Sequence, residues 1–451
     1  MSCAYHLPSE LWDRIIDELW DDGNALAACA LTRREWLYRA RSRLWGNIHC
    51  TTPRVYCHLR IILQESANLA PLIKVLTITL PSLLDFDWIC QLPSLRSLTL
   101  HGCRLKPTFL GIVTQPRLFS TPKSSDTFTS LVGFYLHDTI LDLDSFCLIA
   151  CAMPNLASLG ISKRSEIWSS GVPVLGGEIP NATTHHRLSC RLQSLCWHLT
   201  ESQRGVLLLC QSSPCRTLRN LTLIMYRLWH QSSATDLANA STLLCNAGTS
   251  LATLTLFVQY TKLAAPPTSQ LETVLLDLSR NTSLISLDIL FWRLRPMRCA
   301  VDPAALLCCI KPTHSVLERV DVSFVILPNL PLFRSPNKSH ARSCDLSREC
   351  VRLLRENSRR TLTFHVLGHT ESAQAARRAL VERLQTHVSW EGVDSERLRF
   401  VHNYVADPAA FDPDAGWQML DAGHGVPLFS DLDGLDPGCV SLQIVSRLIH
   451  L

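Results

Sequence analysis

Side chains that could bind a metal ion are scattered along this chain rather than gathered into ligand sets. The sequence has 19 cysteines, yet no two are spaced as CxxC. Cys147 and Cys151 could share one face of a helix, but this pair, like Cys210 and Cys215, lacks the second pair that a zinc site needs. The acidic stretch DLDGLD lacks the ligand spacing and the terminal Glu of a calcium loop. We therefore expect no bound metal, and we interpret the cysteines as small buried thiols.

Motifs for catalysis or nucleotide binding are also missing. The sequence contains no GxSxG, no GxxxxGK[ST], no HExxH and no GxGxxG after a predicted strand. His137 and the His185-His186 pair stand alone, which is typical of surface or core residues. A hydrolase or transferase would need a titratable cluster with shifted pKa values, and the sequence reveals none. We expect no catalytic residue, no cofactor and no enzymatic activity.

Composition and net charge limit the classes of binding partner that we expect. Hydrophobic residues make up 47% of the chain and charged residues 18%, which predicts a folded protein with a large core. The formal net charge is +4 over 451 residues, and the Lys and Arg residues are dispersed, so we expect neither nucleic acid nor a membrane as a partner. Without a basic leader or a long apolar run, the sequence favours a cytoplasmic or nuclear protein. The sequons at Asn181, Asn220 and Asn281 are then accidental.

One six-residue pattern, L-x-x-L-x-L with conservative substitutions, occurs nine times. Successive copies start 22, 36, 25, 36, 26, 33, 33 and 33 residues apart, and three equal intervals are not expected from randomly placed leucines. The copies are IKVLTI from Ile73, LRSLTL from Leu95, LVGFYL from Leu131, LASLGI from Leu156, LQSLCW from Leu192, LRNLTL from Leu218, LATLTL from Leu251, LISLDI from Leu284 and LERVDV from Leu317. The chain is therefore predicted to be a repeat protein.

The spacing within each copy predicts a short strand. In an extended segment the fourth and sixth positions point to one side, so Leu254 and Leu256 should face a core while Thr255 faces away. The same alternation places Leu287 inward and Asp288 outward. Each copy should therefore contribute one strand to a sheet with one buried face.

Helical spacing replaces this alternation between the copies. Ser269 and Glu272 form a capping box ahead of Leu271, Val274, Leu275 and Leu278, which recur as on one face of a helix. Other helical runs are predicted at residues 143–152, 206–210, 237–244 and 303–310. Strand, crossover helix and parallel strand then stack by right-handed connections into an α/β solenoid.

This arrangement resembles a degenerate leucine-rich repeat of the type common in fungal F-box proteins. The resemblance implies a solenoid with parallel strands on its concave face and helices on its convex face. Only Cys103 lies where the Asn or Cys of the usual repeat forms a ladder along the turns. Two polar insertions, SSGVPVLGGEIPNATTHH from Ser169 and RSPNKSHARSCD from Arg334, are predicted to loop out.

Ahead of the repeats, the first fifty residues predict three short helices. Pro8 suits a first turn, and Leu11, Ile15, Ile16 and Leu19 form one apolar stripe. The turn DDGN ends this helix, a second helix carries Leu26, Cys29 and Leu31, and a capping box of Thr32 and Glu35 starts a third, with Trp36, Leu37, Ala40 and Leu44. So few residues cannot bury this apolar surface among themselves. We therefore expect another surface to cover it.

The segments LPSELWDRIIDEL, ACALTRREW and ARSRLW resemble the F-box, a helical module that docks onto the adaptor subunit of cullin-RING ubiquitin ligases. Arg33 departs from this pattern, since the family commonly has Cys there. The resemblance implies the substrate-recognition subunit of an SCF-type ligase, linked through its adaptor to cullin, with the solenoid binding a protein substrate. It also implies that a set of residues faces the adaptor or braces the helices that do: Leu7, Pro8, Leu11, Ile15, Ile16, Leu19, Leu31, Trp36 and Leu44.

The predicted domain organisation follows from both resemblances. It comprises an F-box at 1–50, a linker helix at 51–71, a leucine-rich-repeat-like solenoid at 72–345, and a C-terminal repeat remnant with an acidic capping tail at 346–451. Residues 371–387 predict an Arg-rich amphipathic helix. One alternative remains open, in which the N-terminal helices cap the array and the protein is a repeat-based interaction scaffold with no ubiquitin-ligase role.

Overall fold

The computed structural model describes part of the 451-residue chain. The described residues are 8–20, 22–79, 88–103, 128–142, 146, 153–161, 166–168, 191–199, 216–226, 233–259, 276–292, 303–326, 340–368, 378, 380–381 and 394–404. Leu7, the insertion from Ser169, the helical run at 206–210 and the acidic tail lie outside them. Among the described helices, none combines the length and apolar character that crossing a bilayer requires.

Helices and strands follow one another along the described chain in the order that a repeat predicts. The helices are α1 (Ser9–Glu18), α2 (Gly23–Thr32), α3 (Arg34–Gly46), α4 (Pro53–Glu65), α5 (Ser233–Ala247), α6 (Pro303–Leu307) and α7 (His340–Glu356). The strands are β1 (Asn47–Cys50), β2 (Val75–Thr79), β3 (Ser97–His101), β4 (Gly133–His137), β5 (Ile140–Asp142), β6 (Ser158–Ile161), β7 (Glu166–Trp168), β8 (Ser194–Leu199), β9 (Asn220–Tyr226), β10 (Thr253–Gln259), β11 (Ser286–Trp292), β12 (Arg319–Ile326), β13 (Thr361–Gly368) and β14 (Leu398–Tyr404).

All nine copies of the leucine pattern become strands, and each strand starts at the third residue of its copy. The strands pair with their starts aligned, so Asn220, Thr253, Ser286 and Arg319 lie side by side. This shared register follows from the leucine spacing, because a slip by one residue would turn the apolar side chains to the opposite face.

The chain divides into two compact units. In the first unit β1, β2, β3 and β4 pair in that order, and β5 pairs with β7. In the second unit the order is β6, β8, β9, β10, β11, β12, β13 and β14. Every strand pairing described within a unit is parallel. The α/β prediction is therefore confirmed at the level of repeating parallel strands with helices between them.

The inward residues of the strands form the core, as their spacing predicts. Leu254, Leu256 and Leu287 are buried, whereas Thr255 and Asp288 on the opposite face are half-buried. Each inward leucine packs on those of the adjacent copies, because Leu254 pairs in register with Leu221 on one side and Leu287 on the other. A repeat therefore completes its core only with its neighbours.

Hydroxyl groups ahead of the strands tie consecutive copies together. The residue directly before a copy donates a hydrogen bond to the carbonyl of the first leucine of the preceding copy. Such bonds join Ser130 to Leu95 (2.9 Å), Thr217 to Leu192 (2.8 Å) and Ser250 to Leu218 (2.9 Å). At the other end of the strands, the Cys103 thiol lies 3.8 Å from the carbonyl oxygen of Ile78, which agrees with the predicted ladder position. The Ser or Thr in the TSL and RTL sequences indicates these hydrogen bonds, whereas the leucine pattern alone does not.

The repeat continues beyond residue 345, where the sequence pattern faded. Strands β13 and β14 extend the parallel ladder after β12. Stacked rings follow the same strands, with centroid distances of 5.4 Å for Phe291 and Phe324, 6.3 Å for Phe324 and Phe364, and 5.6 Å for Phe364 and Phe400. Ahead of β13 the first leucine of the pattern is absent, and the residue directly before the strand, Arg360, has a buried side chain. Its guanidinium donates to the carbonyls of Leu317, Leu353 and His314, at 3.2, 3.0 and 2.9 Å.

Several helix boundaries differ from those predicted. Thr32 does not cap α3, because it ends α2 and its hydroxyl donates to the carbonyl of Ala28 at 2.7 Å. The insertion from Arg334 was predicted to loop out through residue 345, but residues 340–345 begin α7. The helix predicted to begin at Ser269 lies outside the described residues as far as residue 275. Leu278, the last apolar residue assigned to it, is not helical.

The cysteine prediction is confirmed for most of the thiols that the structure describes. Cys50, Cys103, Cys196, Cys309 and Cys350 are buried, while Cys57 is exposed. Cys147, Cys151, Cys210 and Cys215 lie outside the described residues. The Asn281 sequon is unavailable in the folded chain, since this side chain is buried and its amide donates to the carbonyls of Leu244 and Gly248.

Candidate protein-docking surface

The three N-terminal helices have a small core of their own. Asp22 caps α2, because its carboxylate accepts a hydrogen bond from the backbone N–H of Ala25 at 2.9 Å. The helices then close around side chains that are at most 6% exposed: Ile16, Leu26, Ala30, Ala40 and Leu44. Two of these, Ile16 and Leu44, belong to the predicted adaptor-facing set. They therefore brace the helices rather than offer a surface.

Five large apolar side chains of the same region remain exposed. Their exposed fractions are 44% for Leu11, 44% for Ile15, 59% for Trp20, 58% for Leu31 and 72% for Tyr38. Leu11 and Ile15 are four residues apart, so they lie on the same side of α1. We call these five residues the N-terminal apolar surface. Leu11 and Ile15 thus form an exposed apolar pair on α1, and contiguous exposed apolar area is typical of a protein-interaction site.

The predicted adaptor-facing residues thus separate by burial. Leu11, Ile15 and Leu31 belong to the N-terminal apolar surface, and Pro8 is also exposed. Leu19 and Trp36 are half-buried. Leu7 lies outside the described residues, so the structure does not place it.

Trp20 and Tyr38 were missed by the sequence analysis. Tyr38 lies among charged residues in the sequence REWLYRARSR, and Trp20 follows the end of α1, so neither belongs to a helical apolar stripe. Only the exposed fraction of each side chain identifies it. Tyr and Trp are enriched among the residues that dominate binding at protein interfaces.

Trp36 braces α3 against α1. Its ring lies 4.5 Å from that of Trp12, and the Arg33 guanidinium lies 5.4 Å from the ring centroid on a cation–π contact. The Trp36 indole N–H is buried and has no hydrogen-bond acceptor among the described residues. Arg33, the departure from the F-box pattern, therefore packs against a predicted bracing residue and leaves the three helices in place.

An ion-pair cluster fixes α1 to α3. The Asp17 carboxylate accepts hydrogen bonds from Arg43 Nε at 2.7 Å and from Arg39 Nε at 2.7 Å, and Arg39 Nη2 makes a further contact with it. The hydrogen bonds from Arg43 and Arg39 hold the pKa of Asp17 well below its usual range. Because Asp17 lies on α1 two residues after Ile15 and six after Leu11, this cluster fixes the helix that carries both side chains against α3.

Another side of the helices packs onto the start of the first sheet. α3 runs directly into β1, and Trp45 at their junction is buried. The Gly46 carbonyl accepts a hydrogen bond from the backbone N–H of Lys74, just before β2, at 3.0 Å. The helices therefore cover the first strands of their unit, and the N-terminal apolar surface is what this packing leaves exposed.

The second unit carries a polar cluster on the face of its sheet, which the sequence analysis did not identify. Asp288, Asp321 and Thr363 are register neighbours on β11, β12 and β13. Arg319 Nε lies 3.2 Å from an Asp321 oxygen, and His365 Nε2 lies 3.9 Å from the other. Within the part of the chain that the structure describes, no group of three His, Cys, Asp or Glu residues could hold a metal ion.

The two carboxyl groups of this cluster differ in charge. Burial raises the pKa of Asp288 to about 6, against the charge of Arg319, and one of its oxygens is buried without a hydrogen-bond partner. Burial also disfavours the charged form of Asp321, but hydrogen bonding to His365 and the charge of Arg319 lower its pKa. A hydrogen bond with the Thr363 side chain also lowers the pKa of Asp321, so Asp321 is the more readily ionised of the two carboxyl groups.

Comparisons with known proteins identify no family for this chain. No family model matches it, and no curated protein matches it. The chain is similar to a crystal structure of a Bacteroides fragilis protein at 12% identity and a TM-score of 0.34, over 76% of this chain and 84% of that chain. A TM-score of this size supports no conclusion about function.

Proposed function

We propose that this chain is the substrate-recognition subunit of an SCF-type cullin-RING ubiquitin ligase. In this proposal the N-terminal helices are an F-box that docks onto the adaptor subunit. The repeats form a curved solenoid, with strands on its concave face and helices on its convex face, and bind a protein substrate. Ubiquitin transfer is carried out by other subunits, so the chain itself has no catalytic residue.

One observation supports this proposal above the others: the N-terminal apolar surface remains exposed although the helices already have a closed core and a packed side. Leu11, Ile15 and Leu31 are at the positions that match the F-box pattern, and Trp20 and Tyr38 add aromatic area beside them in the sequence. Apolar residues at helical spacing bind by burial in a groove of a partner. The contribution to binding comes mainly from apolar area removed from water, about 25 cal/mol per Å².

A paired variant with a matched control tests the docking. Leu11→Ala with Ile15→Ala removes two exposed side chains from one side of α1 and leaves Ile16 in the core. Full-length protein carrying both changes should lose at least about tenfold in affinity for the purified SCF adaptor, since two interface side chains at ~1 kcal/mol each are removed. Ile61→Ala on α4 changes an equally exposed isoleucine, and it should leave adaptor affinity unchanged.

The melting temperature is measured on the same proteins. All three variant positions are exposed, so we expect melting to change little. Unchanged adaptor affinity in the double variant, or no affinity in the unaltered chain, would contradict the F-box proposal.

The packing of α3 on β1 favours one other function. If the helices only cap the array, the chain is an interaction scaffold with no ubiquitin-ligase role. Trp45→Ala should then reduce stability strongly, because it opens a cavity where α3 meets β1, while adaptor binding would be absent from the start. The docking proposal instead expects adaptor binding in the unaltered chain, whatever the stability of Trp45→Ala.

A further inference from the structure

A cleft of about 630 Å³ opens in the second unit, beside the end of α5. Its walls come from the turn before β9, the last turn of α5 with the 3-10 turn that follows, and the turn before β11. The lining residues are Arg216, Cys245, Asn246, Ala247, Gly248, Thr249, Ser250 and Arg280. Three consecutive copies of the repeat therefore contribute to one site. A volume of this size is in the range of sites for small organic molecules.

Several donor groups that line this cleft have no hydrogen bond or ion pair among the described residues, although the charge of Arg280 also acts on Asp277. The guanidinium groups of Arg216 and Arg280 are exposed, and neither has an ion pair or a hydrogen bond among the residues that the structure describes. The side chains of Asn246 and Thr249 likewise have no hydrogen-bond partner within those residues. The cleft thus offers two positive charges together with an amide and a hydroxyl group, all of which can donate.

Three carbonyl groups beside the cleft already accept hydrogen bonds. At the end of α5 the carbonyls of Leu244 and Gly248 accept hydrogen bonds from Asn281, and that of Ala247 accepts one from Ser250 at 2.7 Å. Gly248, with a φ of +54°, makes the left-handed turn that commonly ends a helix. The negative end of the helix dipole is therefore partly neutralised where the cleft begins.

One carboxylate lies close to the lining residues without forming part of the lining. Asp277 accepts a hydrogen bond from the backbone N–H of Ser279 at 2.9 Å, and the Cys245 thiol lies 3.9 Å from its other oxygen. With Asp277 charged, the two arginines still leave one positive charge in excess. A ligand with at least one full negative charge and several acceptor oxygens would match these donors.

We propose that this cleft binds the phosphate group of a small phosphate monoester, with Arg216 and Arg280 contacting the phosphoryl oxygens. Guanidinium groups bind phosphate through paired N–H donors, and the three terminal oxygens of a phosphate monoester can accept from two guanidinium groups at once. The cleft is larger than a bare phosphate ion, so the remaining volume accommodates the organic part of the ester. This site is independent of the docking proposed for the N-terminal helices.

Calorimetric titration of the full-length protein at low salt tests the site with defined probes. Glycerol phosphate should bind saturably, inorganic phosphate more weakly, and acetate and glycerol not measurably. Arg216→Ala and Arg280→Ala should each reduce the affinity for glycerol phosphate at least about tenfold, as expected for loss of a charged hydrogen bond of ~1.4 kcal/mol or more. Arg359→Ala is the matched control, because Arg359 is an exposed arginine of the same unit outside the cleft.

Folding is monitored by melting of each unliganded variant. Arg216→Gln and Arg280→Gln provide a second pair that keeps a polar side chain with N–H donors but removes the charge, and they should also lose affinity. The proposal is overturned if the unaltered chain does not bind glycerol phosphate, if the cleft variants bind it as well as Arg359→Ala does, or if acetate binds equally well. Equal affinity for inorganic phosphate and glycerol phosphate would overturn the small-molecule part, since the organic group would then make no contact.

Discussion

A leucine on α1 and a leucine in a repeat strand have opposite environments in this protein. Leu11 is exposed, whereas Leu254 is completely buried between the inward leucines of the strands on either side. Both lie in strongly periodic apolar patterns, so local sequence does not distinguish them. The difference lies in what each element has as a neighbour.

Repetition explains this difference. Each strand of the second unit has another strand of the same pattern beside it, and the apolar face of one copy is covered by the next. Three unlike helices of about ten residues each have no further copy to pack against. The comparison teaches that an apolar side chain of the repeats contributes mainly to stability, whereas one on the N-terminal apolar surface is available for binding.

The largest expected effect comes from making the same change in both regions. Leu254→Ala should lower the free energy of unfolding by roughly 2 to 5 kcal/mol, because it leaves a cavity in a closed core. Leu287→Ala should behave alike. Leu11→Ala should change it by less than about 0.5 kcal/mol, since its side chain is largely solvated already. Urea denaturation followed by circular dichroism measures all three.

Thr255→Ala is the control for strand register, because Thr255 lies on the opposite face of the same strand as Leu254. Thr255→Ala should lower the free energy of unfolding far less than Leu254→Ala does. If Thr255→Ala proved the more damaging change, or if Leu11→Ala cost as much as Leu254→Ala, the comparison between the two regions would fail.

Two arginines extend the comparison to polar groups. Arg360→Met should destabilise the protein by about 2 to 4 kcal/mol, because it leaves three buried carbonyl groups of the repeat turns without a donor. Arg39→Met removes a partly exposed partner of Asp17 and should cost no more than about 1 kcal/mol. Chemical denaturation at neutral pH ranks the two variants, and an equal cost would show that burial does not separate the regions.

Asp288 should make the protein less stable as the pH rises. Its pKa in the folded chain is raised to about 6, so between about pH 4 and pH 6 the folded state holds a proton that the unfolded state has lost. The contribution of Asp288 to the free energy of unfolding is therefore largest below about pH 4 and decreases as the pH rises to about 6. Asp288→Asn mimics the protonated form, and at pH 7 it should stabilise the protein by up to about 2 kcal/mol. A melting curve measured across this range checks the slope, which the variant should lack.

Asp17 should have a smaller effect of opposite sign. Its pKa is lowered in the folded chain, so its contribution is present above the ordinary carboxyl pKa and decreases as the pH falls below about 4. Because Arg39 and Arg43 are partly exposed, the ion pairs of Asp17 should stabilise the folded protein by no more than about 1 kcal/mol. This stabilisation should weaken in high salt. Melting of Asp17→Asn at pH 7 and at pH 3 tests this, with a smaller difference from the unaltered protein expected at pH 3 than at pH 7.

The sequence predicted the repeat strands well because their signal is local. In IKVLTI and LISLDI the spacing of apolar residues fixes both the strand and its inward face, and equal spacing in the neighbouring copies fixes the register. The pattern faded at β13 for a definite reason. The first leucine is missing there and the buried residue ahead of the strand is Arg360, whose burial becomes favourable only when three carbonyl groups surround its guanidinium.

The docking surface was predicted in part. The stripe on α1 indicated which residues are apolar, but Ile15 and Ile16 are adjacent in the chain and only the packing of α2 and α3 makes one exposed and the other buried. Trp20 and Tyr38 had no periodic signal. The cleft beside α5 was not predicted at all, because Arg216, Thr249 and Arg280 belong to three different copies and meet only through the stacking of those copies.

By itself, the sequence determined the parallel repeat, the inward leucines and the three N-terminal helices, since each depends on side-chain spacing within a few residues. The tertiary structure decided which apolar residues stay exposed, which carboxyl group is held protonated to about pH 6, and which arginines share a cleft. These properties depend on distances between segments that are remote in the chain. Solvent exposure and electrostatic interaction are set by those distances, and no local pattern encodes them.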